Sequence, residues 1–272
     1  MVIKKDKKQM NKYHVALAND KKNNLFFLLI DLKEKIDNRI ELYKSDLPLV
    51  DRTVEYIDLG EYKDNLDLLE LVDKYKVNEI IIKNFINVGY ELLNKISNTS
   101  ITSLSILSST IKVDIPKFPN IESLLLGDKV KMNLDYSRFP KLKYLSLLSY
   151  KSFKGKIENK TDSLEELIVW YYNPKNKLLE DLLSENIKLK RLELNLTNIE
   201  SLEGLKQLED LEELNIAYGR NLTNIDSLLL ISKFRKVIFE NCKKITGLEK
   251  FEEDKRYAVR KVGKDFIEIT KL

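Results

Sequence analysis

One spacing constrains this chain more than any other feature. Three apolar residues in the frame apolar-x-x-apolar-x-apolar return every 20 to 25 residues between positions 54 and 239. The frame selects Val54, Ile57, Leu59; Val77, Ile80, Ile82; Ile101, Leu104, Ile106; Ile121, Leu124, Leu126; and Leu142, Leu145, Leu147. It continues on Leu164, Leu167, Val169; Leu189, Leu192, Leu194; Leu211, Leu214, Ile216; and Phe234, Val237, Phe239. In a chain that is 43% apolar, roughly one frame in twelve matches by chance, so one copy says nothing, but nine at near-constant spacing do. Flanking detail repeats as well: Phe118-Pro119-Asn120-Ile121 and Phe139-Pro140-Lys141-Leu142 lead into consecutive copies, and Leu-Glu-Glu-Leu stands at 164–167 and at 211–214.

Within a copy, the second and third apolar positions are two residues apart, the period of a strand with one buried face. A unit of this length has too little apolar surface to fold alone. Stacked on its neighbours it buries that surface, and the strands then form a parallel sheet. The return segments 66–76, 88–96 and 176–186 carry apolar residues at helical spacing and are predicted helices; the others are long enough only for turns. Core would be exposed at both ends without caps. Residues 13–45, with strand-like runs at 25–32 and 39–43, and residues 257–272, which read as a hairpin turning at Gly263-Lys264, are the segments available for capping.

The pattern resembles the leucine-rich repeat family, whose unit is a short strand carrying L-x-x-L-x-L followed by a return of helix or 3₁₀ turn. The match is tightest in FRKVIFENCKKITGL at 234–248, where Cys242 falls on the Asn/Cys position of that motif. Ile245-Thr246 and Leu248 follow as in the cysteine-containing subclass. In the other copies Tyr62, Phe85, Ser109, Lys129, Tyr150, Tyr172, Thr197 and Gly219 hold that position, so the side-chain ladder that satisfies the turn backbone is expected to be mostly missing. The resemblance covers about residues 54–250. It implies an α/β fold: a curved solenoid with a parallel concave sheet, helices and turns on the convex side, and a non-repeat cap at each end. A single domain over residues 1–272 follows, with 1–53 as N-terminal cap, 54–250 as about nine repeats and 251–272 as C-terminal hairpin cap.

Several function classes are excluded by what the chain lacks. The 47 basic and 43 acidic residues give a formal net charge of +4, and beyond Lys4–Lys8 the signs are interspersed, which is no nucleic-acid footprint. The apolar runs at 14–18 and 25–30 are too short for a membrane span or a signal-peptide core, so no membrane partner is expected. One cysteine permits no internal disulfide and fits a reducing compartment; the cytoplasm is the expected location. The excess of Lys over Arg, with abundant Asn and Ile, suggests a bacterial source. His14 is the only histidine, so neither a Ser-His-Asp nor a Cys-His arrangement can be assembled, and no zinc spacing exists. No phosphate loop is present either. The chain therefore reads as a non-enzyme without cofactor or metal, and Cys242 as a buried structural thiol.

If the frame positions point inward, the residues between and beside them form ladders on the other, concave face. Glu166, Arg191, Glu213 and Lys236 alternate in sign along one ladder, which reads as surface charge. Leu107, Leu125, Tyr144, Leu148, Ile168 and Trp170 form a contiguous apolar and aromatic patch. Either it is a partner site, or a cap, a loop or a second subunit covers it, or the frame is locally off by one. Tyr171, Tyr172 and Tyr218 stand just past the strands, where they contribute to a rim or simply pack; Glu193, Asn195 and Asn215 extend the site as a polar flank.

The expectation is a non-enzymatic module that binds a protein partner on this face. Degenerate leucine-rich repeats with no second effector domain look like the immunity proteins that bacteria encode beside toxins, so the partner implied is a cognate toxin domain. The alternative is a self-associating structural or regulatory scaffold of the same repeat type, and the state expected in solution is a monomer or weak dimer.

Overall fold

A computed structural model of the chain describes residues 13–19, 25–31, 40–41, 53–54, 56–62 and 68–272, apart from 84, 86–87, 112, 131–134, 151–162, 181 and 183–187. Two compact units divide it, Met1–Asn120 and Ile121–Leu272. Each is built on a mixed sheet with short helices or turns between strands, and the sheet of the second unit is mostly parallel.

The first unit contains β1 (Tyr13–Asn19), β2 (Leu25–Asp31), the short pair β3 (Ile40–Glu41) and β4 (Thr53–Val54), β5 (Tyr56–Tyr62), β6 (Glu79–Lys83) and β7 (Ser103–Leu107). Its main strands lie in the order β5-β1-β2-β6-β7. β2, β6 and β7 are parallel, aligned Leu29 to Ile82 to Ile106, whereas β1 is antiparallel to both β2 and β5. This corrects one expectation. The frame at Val54, Ile57 and Leu59 does not begin the parallel run; β2, expected to belong to a cap, lies beside β6, and β5 joins the sheet beyond β1. Three apolar positions mark any half-buried strand and carry no information on which neighbour it pairs with.

Helices α1 (Leu68–Tyr75) and α2 (Tyr90–Ser97) occupy two of the predicted returns. α1 buries Leu68 and Val72, one helical turn apart. Lys76, at φ 54°, ends it, and the Val77 N–H reaches back to the Val72 carbonyl at 3.2 Å, the bond that closes a left-handed C-cap.

In the second unit, β8 (Ser123–Leu126), β9 (Tyr144–Leu147), β10 (Glu166–Trp170), β11 (Arg191–Asn195), β12 (Glu213–Ala217) and β13 (Lys236–Glu240) lie parallel and in chain order. Frame positions align without slip: Leu145, Leu167, Leu192, Leu214 and Val237 make one row, and Leu147, Val169, Leu194, Ile216 and Phe239 the next. All ten are buried. Burying one such side chain contributes about 1.5–3 kcal/mol, so the rows supply much of the cohesion of the unit.

The backbone repeats with the side chains. At each entry one carbonyl accepts two N–H groups from the next copy: Lys143 O from Glu165 and Glu166 at 2.9 Å each, Glu165 O from Lys190 at 2.8 Å and Arg191 at 3.0 Å, and Lys190 O from Glu212 at 2.8 Å and Glu213 at 3.0 Å. The residue just past the strand is left-handed at Tyr171 (φ 59°), Leu196 (56°), Tyr218 (57°) and Asn241 (54°), and Ser108 of the first unit repeats this at 49°. Their amides extend the ladder by one bond, as from Tyr171 to the Asn195 carbonyl at 2.9 Å and from Leu196 to that of Ala217 at 2.9 Å.

Of the return segments here only 176–186 was predicted helical, the others being long enough only for turns. Described residues of 176–186 form turns and the remainder lie outside the description, while Tyr136–Arg138, Leu205–Gln207 and Asp226–Leu230 are 3₁₀ turns. Helix α3 (Glu249–Glu252) leads into β14 (Tyr257–Val262) and β15 (Phe266–Lys271), a hairpin turning at Gly263 (φ 60°). β15 pairs antiparallel with β13, so the parallel run stops there. Phe251 and Tyr257 meet edge to face at 5.3 Å beneath the hairpin.

Candidate functional site

The face of the second unit opposite the frame rows is where strand alternation turns Glu166, Ile168 and Trp170 of β10, Arg191, Glu193 and Asn195 of β11, and Glu213, Asn215 and Ala217 of β12. Parallel register sets them in three rows: Glu166–Arg191–Glu213, Ile168–Glu193–Asn215 and Trp170–Asn195–Ala217. Tyr144 precedes Glu166 in the first row, beside Ser123 of β8.

The expected apolar patch divides by burial. Ile168 is 4% exposed and Leu148 also buried within the chain, and Leu125 is half-buried, so the aliphatic middle is already covered. Leu107 lies in β7 of the first unit and is buried there. Tyr172 is a core residue rather than part of a rim: it is buried, its hydroxyl donates to the Leu178 carbonyl at 2.9 Å and its ring meets Tyr150 edge-on at 4.9 Å. The left-handed turn explains the split. With Tyr171 at positive φ, Tyr172 turns in and Tyr171 out.

What faces solvent is aromatic. Tyr144, Tyr171 and Tyr218 are 45%, 41% and 43% exposed, and Trp170 is half-buried with its ring 6.4 Å from that of Tyr171. Tyr171 and Tyr218 occupy left-handed positions, where Asn or Gly is less strained and where Asn241 stands in the equivalent place. The indole Nε1–H of Trp170 is buried without a hydrogen-bond partner, and so is Oδ1 of Asn215. An unsatisfied buried polar atom costs about 1–3 kcal/mol.

The polar side of the face is built on Arg191. Its guanidinium stands 3.3 Å from Glu166, 3.7 Å from Glu193 and 4.0 Å from Glu213. The sign alternation along the row is therefore realised at Arg191, but Lys236 turns to Glu268 of β15 at 3.1 Å instead. Glu193 is buried at 3% exposure and accepts one bond from Asn195 Nδ2 at 2.8 Å. Burial holds the Glu166 carboxyl above its ordinary range; Arg191 opposes this, and Glu193 and Glu213 add to the rise. That Glu193 shares Arg191 was not drawn from the sequence, although the two sit two residues apart on one strand and thus on one face.

Behind the strands, several copies rebuild the turn ladder expected to be mostly missing. Ser109 Oγ accepts from the Phe85 amide at 2.9 Å and donates to the Leu107 carbonyl at 2.8 Å; Thr197 Oγ1 donates to the Tyr172 carbonyl at 2.7 Å. Cys242 Sγ lies 3.4 Å from the carbonyls of Ile216 and Glu240, and burial pushes its thiol up to about 11, which leaves no thiolate for chemistry near neutrality. Among the described residues no group of three or more His, Cys, Asp or Glu side chains is placed to hold a metal ion. No described helix is long and apolar enough to cross a membrane. Compared with known proteins, the chain matches no family model and no curated sequence.

Proposed function

We propose that the chain is a leucine-rich repeat solenoid acting as a non-enzymatic binding module, and that the face of β9 to β12 holds a protein partner. The single observation that carries this reading is the exposure of three tyrosines, Tyr144, Tyr171 and Tyr218, on a face that also carries the half-buried Trp170. Aromatic side chains with a polar tip are the residues that dominate protein interfaces, and two of these tyrosines stand at strained backbone positions that a purely structural turn fills at lower cost with Asn or Gly.

The partner class we favour is a cognate toxin neutralised by a bacterial, cytoplasmic immunity protein. Co-expression with the product of the neighbouring gene tests it: a stable complex and relief of toxicity are expected. Trp170→Ala combined with Tyr218→Ala should weaken that complex by roughly a hundredfold or more, since each interface anchor is worth about 2 kcal/mol. A complex unchanged by the pair, with the fold verified by circular dichroism, removes this face from the reading. Self-association is the competing use of the face; a dimer by light scattering that Trp170→Asp abolishes would establish it.

A further inference from the structure

We propose, resting on the reading of this face as a partner site, that its occupant is a basic protein segment, one that places a lysine or arginine side chain beside Glu166 and Glu213. The nine side chains that β10, β11 and β12 turn to this face include three carboxylates and one cation, Arg191, a net charge of −2 by that count on a chain of net +4. Lys236 does not redress it, because it is engaged with Glu268, as is Arg260 at 3.7 Å. The contacts of Arg191 with Glu193 and Glu213, at 3.7 and 4.0 Å, are too long to be hydrogen bonds.

Acceptors therefore exceed donors on this side of the face. A second cation answers all of this at once: an ammonium brings three donors and a guanidinium five, and either brings the missing positive charge. The aliphatic stem of such a side chain packs on aromatic rings; Tyr144 stands next to Glu166 in its row, and Trp170 lies one row beyond that of Glu193.

The test is selection from a random linear peptide library displayed on phage against the immobilised full-length chain. Fluorescence anisotropy then compares the best synthetic peptide with a version whose lysines and arginines are glutamine. Selected sequences should be rich in lysine and arginine. The glutamine version should bind at least about tenfold more weakly, and Glu166→Gln with Glu213→Gln should cost a similar factor, whereas Glu203→Gln, in a return segment, should cost none. Peptides that lose binding on Trp170→Ala yet show no excess of basic residues would overturn the basic partner and leave the face standing. Peptides indifferent to Trp170→Ala, or a library that yields no binder, would overturn both.

Discussion

Glu166 is a carboxylate whose strand position desolvates it, with Arg191 as its only stabilising neighbour and Glu193 and Glu213 repelling it. Its pKa in the folded chain is raised, so the folded state holds its proton more tightly than the unfolded chain does. The ionised side chain therefore opposes folding above the folded pKa, and this opposition fades as pH falls towards the unfolded value of 4.5. Glu166→Gln should be neutral or stabilising at pH 7 and indistinguishable from the parent near pH 4, measured as the melting-temperature difference at both values. A lower melting temperature for the variant at pH 7 would show that Arg191 outweighs burial. The acidic alternation was legible because residue order along a strand fixes which face a side chain takes. Burial of Glu193 was not, since it depends on neighbours brought in from other copies.

The turn after each strand belongs to the scale of the element. Its left-handed residue returns in copy after copy, and the next residue points into the stack, so side chains there must fit one another across copies. Gly219 shows how tight this is: a Cβ on it would come 3.0 Å from Cys242 Sγ and 3.0 Å from Ile216 Cγ2. Gly219→Ala should cost about 1–3 kcal/mol by urea unfolding, and the loss should shrink when Cys242→Ala is combined with it, because part of the clash is with the thiol. Purely additive losses would place the strain on Ile216 alone. Cys242 was assigned to this turn from the motif spacing. That the hydroxyls of Ser109 and Thr197 bond the turn backbone was not foreseen, because a hydroxyl reaches those groups only once the register has set its neighbour at bonding distance.

At the scale of the whole molecule, β15 ends the parallel run antiparallel to β13, with Ile269 opposite Val237 and both buried. Removing residues 256–272 would expose the β13 edge and the rings of Phe234 and Phe251, against which Tyr257 packs. The shortened chain is expected to lose cooperative thermal unfolding and to aggregate on size exclusion; a monomer with an unchanged melting curve would show that the hairpin adds nothing to the stack. Frame spacing located β6 to β13 and their buried rows, because period and apolarity are local properties written in consecutive residues. It misplaced Val54–Leu59, and it left open whether Ile168 and Leu148 are covered. Pairing partners and burial of the second face are set by residues distant in the chain. Only the tertiary structure buries Glu193 beside Arg191 and leaves Trp170 and Asn215 each with an unanswered hydrogen-bonding atom.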